Sequence, residues 1–151
     1  MKFSTRTLYG LKAVLVLAGR FGEGSLSVSQ IAKKENISAA YLEQILNALK
    51  KQGFVKSVRG PQGGYVLAKN PAAIGLDVLF NALTHRGLLN LDSINKRSLQ
   101  TDEISIANMI FWKTLKSSIK SGLAAMSLKD LIDEARRLKK SKSHIQYAFH
   151  I

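Results

Sequence analysis

Six residues, Arg59-Gly60-Pro61-Gln62-Gly63-Gly64, carry three of the chain's 11 glycines and one of its 2 prolines, so this segment must turn. It is bracketed by Phe54 to Val58, rich in strand formers, and by the apolar alternation of Tyr65 and Leu67, which together predict a β-hairpin with an extended loop. What precedes it is helical. Leu8, Leu11, Leu15 and Ala18, with Val14 beside them, recur at helical spacing from about Ser4 to Gly19. Gly22-Glu23-Gly24 then turns the chain, and Ser27-Val28-Ser29-Gln30 reads as a capping box opening a short second helix with Ile31 and Ala32 on its apolar face. After Ile37 and Ser38 a third helix is predicted from about Ala39 to Gln52. Leu42, Ile45, Leu46 and Leu49 form its stripe, and Gly53 is its stop. Three helices and a hairpin within 70 residues is the order of a winged helix-turn-helix, a mainly α fold with a small β-hairpin wing.

Past Asn70-Pro71 the pattern predicts a helix from about Gly75 to Thr84, then a polar stretch from His85 to Thr101 without a period, read as a loop. A longer helix is predicted from about Asp102 to Ser121. On it Phe111, Trp112, Leu115 and Ile119 fall within one arc, and Lys113, Lys116 and Lys120 share another. Ser127 and Asp130 form a second capping box for a last helix carrying Leu128, Leu131, Ile132, Ala135 and Leu138, and Ser141 to Ile151 is left as a tail.

Charge points to a partner. The chain holds 23 Lys plus Arg against 10 Asp plus Glu, a formal net charge of +13. Up to Asn70 there are 11 basic and 3 acidic residues (+8); beyond it, 12 and 7 (+5). A polyanion is the expected partner. An anionic membrane surface fits less well, because no Lys/Arg-rich amphipathic helix with a continuous bulky apolar face is found. The apolar-rich N-terminal stretch is interrupted by Lys12 and is too short to span a bilayer, so a cytoplasmic location is expected. The absence of cysteine excludes disulfides, thiolate metal sites and thiol catalysis. Three scattered histidines and ten acids assemble neither a nucleophile with a positioned base nor a carboxylate pair, so an enzyme is not expected.

In a winged helix-turn-helix the third helix enters the major groove and must offer side chains able to bond to base edges or phosphates. Ala40, Glu43, Gln44, Asn47 and Lys51 face outward here. Gln44 and Asn47 can pair bidentately with adenine, Glu43 can accept from cytosine N4, and Lys51 can meet phosphate. On the wing, Arg59 is suited to a narrow minor groove and Lys56 to phosphate, while Gly60, Gly63 and Gly64 allow tight turns and close approach to DNA. An ordinary solvated helix face and a plain turn would show the same residues, and both readings stay open at this point.

The residues that carry a resemblance are Ser4 through Gly10 with Tyr9, Ile31-Ala32, Ile37-Ser38, Tyr41-Leu42-Glu43-Gln44-Ile45-Leu46, and above all Lys56-Ser57-Val58-Arg59-Gly60-Pro61-Gln62-Gly63-Gly64-Tyr65. With them the chain resembles the Rrf-two family of bacterial transcription regulators, densely over about the first 75 residues and more loosely beyond. The resemblance implies operator contacts at Ser38, Tyr41, Glu43, Gln44 and the wing arginine, Arg59. It also implies a homodimer formed by the long penultimate helix, with Phe111, Trp112, Leu115 and Ile119 as its interface, and a pseudo-palindromic double-stranded operator. Four segments follow: a DNA-binding unit at 1–70, a helix and connecting loop at 71–100, dimerisation helices at 101–140, and a tail at 141–151. At Ala40 some members carry a polar residue, which leaves base preference there undetermined.

Many members hold an iron–sulfur cluster through three cysteines in the loop after the fourth helix. This chain has none, His85 is the only nitrogen donor near that loop, and Asp92, Asp102 and Glu103 lack convergent spacing, so no metal or cofactor is expected. Among cysteine-free members the ending Gln146-Tyr147-Ala148-Phe149-His150-Ile151 is similar to the aromatic tail of regulators of cysteine metabolism. That similarity implies docking of Tyr147, Phe149 and Ile151 on cysteine synthase; packing of the tail on its own dimer is the alternative. A regulator of another stress or metabolic pathway with a different effector, and a partner-binding module with only nonspecific DNA contact, remain the competing readings of the whole.

Overall fold

Side chains supplied by the sequence cap the start of most of the helices. The computed structural model describes residues 3–84 and 102–148, the stretch 142–148 by its backbone alone. Helix α1, Thr5–Gly19, starts at Ser4, whose hydroxyl accepts from the Thr7 N–H at 3.2 Å. Helix α2, Val28–Glu35, opens with the anticipated capping box: Ser27 Oγ accepts from the Gln30 N–H, and Gln30 Oε1 accepts from the Ser27 N–H. It closes at Asn36, in the left-handed region at φ 54°, a conformation that asparagine tolerates. Asn36-Ile37-Ser38 is thus the turn of a helix-turn-helix, with Ile37 buried beneath it and Ser38 capping α3, Ala39–Lys51.

The wing is a two-stranded antiparallel hairpin, β1 Val55–Val58 and β2 Gly64–Leu67, registered Val55 to Leu67 and Val58 to Gly64. A contact with no sequence signal ties it to the body. Leu26, between α1 and α2, bridges Tyr65 antiparallel, with Leu26 N–H donating to Tyr65 O at 3.0 Å and Tyr65 N–H to Leu26 O at 2.8 Å. Ser25 Oγ–H also donates to the Gln62 carbonyl at 2.6 Å.

A single turn of 3-10 helix, Pro71–Ala73, follows the wing and leads to α4, Leu76–Leu83. Helix α5, Glu103–Ala124, is capped by Asp102 and lies against α4. Helix α6, Leu128–Ala148, opens at Ser127 and Asp130, and it runs on into the segment read as a tail because residues 141–148 contain neither glycine nor proline. The residues read as a loop, His85 to Thr101, lie outside the described residues.

One apolar core joins these elements: Val14 and Leu17 of α1, Ile31 of α2, Leu42, Ile45, Leu46 and Leu49 of α3, Val55, Tyr65 and Leu67 of the wing, Leu79 and Leu83 of α4. Leu128 of α6 is fully buried in the same core. Backbone bonds from Leu128 N–H to Ile74 O (2.8 Å) and from Leu76 N–H to Met126 O (3.0 Å) stitch the start of α6 to the start of α4. Burying side chains of this size contributes about 1.5–3 kcal/mol each, so the C-terminal part shares the stability of the DNA-binding unit. Among the described residues no helix is long and apolar enough to cross a membrane.

Candidate nucleic-acid interface

Because Leu42, Ile45, Leu46 and Leu49 hold α3 in the core, helical geometry turns Glu43, Gln44, Asn47 and Lys51 outward, and all four are exposed. Gln44, Asn47 and Lys51 line a shallow groove of about 510 Å³ that they share with Gln52 and with Arg6 of α1. Sequence reasoning overlooked Arg6. It lies within the Ser4–Gly10 stretch of the resemblance with no role assigned to it there, and the packing of α1 on α3 brings it beside the exposed face.

Ser38 and Tyr41 have structural work as well as a candidate contact. Ser38 Oγ accepts from the Tyr41 N–H at 3.5 Å and keeps its own proton to donate, at a helix N-terminus where the backbone favours a phosphate. Tyr41 is half-buried and sits edge-to-face on Tyr9, ring centroids 6.1 Å apart, which sets where its hydroxyl can reach. Asn47 is drawn sideways: its Oδ1 accepts from the Tyr65 hydroxyl at 3.2 Å. Burial, and after it the Glu43 carboxylate, holds the Tyr65 phenol above its ordinary value.

On the wing, Lys56 and Arg59 are exposed and so is Gly60, which takes φ 118° with no atom within 4 Å of an added Cβ. That combination suits a turn that projects into solvent. Gly63 and Gly64 are required by the protein itself, which narrows the reading that they serve approach to DNA. A Cβ on Gly64 would lie 2.2 Å from the Leu26 carbonyl oxygen, and one on Gly63 would lie 2.7 Å from that of Val58. The exposed cations Lys33, Lys34, Lys50, Lys51, Lys56 and Arg59 all belong to α2, α3 and the wing, where Glu43 is one of few acids. The potential favours a polyanion.

The predicted dimer residues divide. Phe111 is 60% exposed, whereas Trp112, Leu115 and Ile119 are half-buried, and Trp112 Nε1–H donates to Asn108 Oδ1 at 3.0 Å. No residue of α5 is buried, although Ile104 (79% exposed), Ile106, Met109 and Ile110 add apolar surface that the arc of four had not included. Apolar side chains on several faces of one helix demand cover. Of the tail residues, Phe149 and Ile151 lie outside the described residues, and for Tyr147 only the backbone is described.

The chain matches the Rrf2 family, described as an iron-dependent transcriptional regulator, over residues 3–134. It is 36% identical over 131 residues to the HTH-type transcriptional regulator CymR of Bacillus subtilis, covering 87% of this chain and 89% of that protein. Among solved structures, the T. potens IscR superposes with a TM-score of 0.73 at 36% identity, covering 89% of this chain and 88% of that one. The structure of CymR, the global cysteine regulator of B. subtilis, gives a TM-score of 0.73 at 33% identity, covering 89% and 98%. The iron in the family description finds no thiolate ligand here, since the chain contains no cysteine, and no three His, Asp or Glu side chains group together among the described residues. The residues present do not fit a cysteine-held cluster. With its mainly helical body, its hairpin wing and a family match over residues 3–134, the chain belongs to the Rrf2 family of DNA-binding transcription regulators.

Proposed function

We propose that the protein is a sequence-specific, cluster-free repressor that acts in the cytoplasm as a homodimer on a pseudo-palindromic operator. One observation carries this reading: α3 presents Gln44, Asn47 and Lys51 along one open groove, while the core holds its other face and Leu26 pins the wing beside it. In this arrangement Glu43, Gln44 and Asn47 read base edges, Ser38, Tyr41, Lys51 and Lys56 hold phosphates, and Arg59, carried on the Gly60 turn, enters the minor groove. Residues 1–70 form the DNA-binding unit and 101–140 the dimerisation helices. Uncovered Ile104, Ile110 and Phe111 support a second copy as the cover, with Trp112, Leu115 and Ile119 completing the seam.

The experiment is a comparison of affinities for the upstream region of the protein's own gene and for a scrambled duplex at one salt concentration. A ratio of about a thousand or more is expected of a specific regulator. Equal affinities would leave a nonspecific basic module.

A finer reading places the regulon in cysteine metabolism, supported by likeness to the B. subtilis cysteine regulator. Tyr147, Phe149 and Ile151 would then dock in cysteine synthase. Calorimetry of cysteine synthase with the full chain and with a chain lacking Ile151 tests it: binding that survives the deletion removes docking through Ile151, and no binding by either removes the partner.

A further inference from the structure

Asn47 and Tyr65 meet across the seam between α3 and the wing, where the tyrosine hydroxyl donates to Asn47 Oδ1 at 3.2 Å. The tyrosine is held from behind. The residue is 8% exposed, and two backbone hydrogen bonds to Leu26 fix the strand that carries it. Asn47 lies one helical turn beyond Glu43, on the exposed face it shares with Gln44 and Lys51. A free carboxamide recognises adenine with both ends, Oδ1 accepting from N6–H and Nδ2–H donating to N7. Here one of the two lone pairs of the oxygen is taken by the protein, which turns that end of the amide toward the wing and leaves the two Nδ2 hydrogens for a base.

We propose that Tyr65 is a positioning residue that fixes the Asn47 carboxamide as a donor, so that the base pair beneath it is selected for an acceptor edge, guanine N7 and O6, instead of adenine. The inference rests on α3 entering the major groove. By this route the wing governs base choice under the recognition helix without touching that base. Glu43 is the charged group beside the pair; burial, and after it this carboxylate, raises the Tyr65 phenol above its ordinary value.

The test uses the full-length protein and an operator series carrying each of the four base pairs at every position. The wild type should prefer guanine over adenine by about tenfold at one position, and Asn47→Ala should erase that preference there alone. Tyr65→Phe keeps the buried ring and should bring guanine and adenine to within about twofold at the same position, leaving preferences elsewhere unchanged. In the Asn47→Ala background Tyr65→Phe should have no further effect on the profile. Asn47→Asp keeps the acceptor for Tyr65 but removes both donors, and should turn the preference toward cytosine N4–H. A Tyr65→Phe protein that weakens all sequences evenly, or that alters a position other than the Asn47 one, overturns the proposal. If Gln44→Ala and Arg59→Ala leave every profile unchanged, the placement of α3 in the groove fails first. If those two change theirs and Tyr65→Phe does not, only the positioning role fails.

Discussion

Replacing Gly64 with alanine should detach the wing from the body. An added Cβ would stand 2.2 Å from the Leu26 carbonyl oxygen, 2.4 Å from its carbon and 2.7 Å from the Ser27 nitrogen, all backbone atoms with no rotamer in which to retreat. Relief requires β2 to move away from Leu26, which breaks the two bonds that join Leu26 and Tyr65. Each contributes about 1 kcal/mol net, and overpacking of a tight contact costs about 2 kcal/mol more, so the loss is about 4 kcal/mol. In a chain of this size each kcal/mol moves the melting midpoint by roughly 2–4 °C, which places the variant roughly 8–16 °C below the wild type. Gly19→Ala is the control. It lies in α1 with nothing within 4 Å of the new methyl, and should stabilise by about 0.5–1 kcal/mol through lower unfolded-state entropy. Differential scanning calorimetry reads both. A Gly64→Ala midpoint within about 2 °C of wild type would refute the argument that this glycine exists for the Leu26 crossing.

Three further outcomes follow from the same geometry. Leu115→Glu places a carboxylate in the α5 seam and should give a monomer at micromolar concentration in sedimentation, with loss of operator binding; a dimer that still binds contradicts the assignment of the seam. Lys51→Ala should weaken all DNA sequences alike and reduce the slope of log affinity against log salt by about one unit, whereas Arg59→Ala should also relax preference for the bases under the wing. An unchanged slope for Lys51→Ala would remove that phosphate contact. Asp102 is held below the usual carboxylate range by the Ser105 hydroxyl and N–H, and Asp130 by the Ser127 N–H and hydroxyl. A depressed folded-state value means that these caps stabilise above the unfolded carboxylate value and lose that contribution as pH falls through the folded one. Asp102→Asn with Asp130→Asn should flatten the acid limb of stability below about pH 4 in urea unfolding; an unaltered limb denies the caps their part.

Local signals were readable where a residue acts on its own neighbours. The capping boxes at Ser27/Gln30 and Ser127/Asp130, the left-handed stop at Gly53 and the core stripe of α3 all stand where pattern and punctuation put them. What escaped was long-range. Leu26 forms a strand contact one residue long, which has no period to detect, and its demand on Gly64 exists only once the wing has folded back. Leu128 looked like one apolar residue of a separate dimerisation helix, yet it is buried in the core beside Ile74, a placement set by backbone bonds to the segment before α4. For the site, helical spacing named the outward face of α3 correctly, but spacing could not show that the Asn47 oxygen is already taken by Tyr65, 18 residues away. Nor could it show that Arg6 joins the groove. On α5 the arc of four captured Phe111 and its neighbours but not Ile104, Ile106, Met109 and Ile110, whose exposure shows only when the protomer's own contacts are known.

Two copies of α3 set in successive major grooves on one face of the DNA should shield the bound operator from methylation at guanine N7. Two protected guanine N7 segments in the major groove are expected, their centres on the order of 34 Å apart, with protection of adenine N3 in the minor groove between or beside them that disappears in Arg59→Ala. A single protected segment for each bound protein, or tight binding with every guanine N7 left reactive, would contradict this placement.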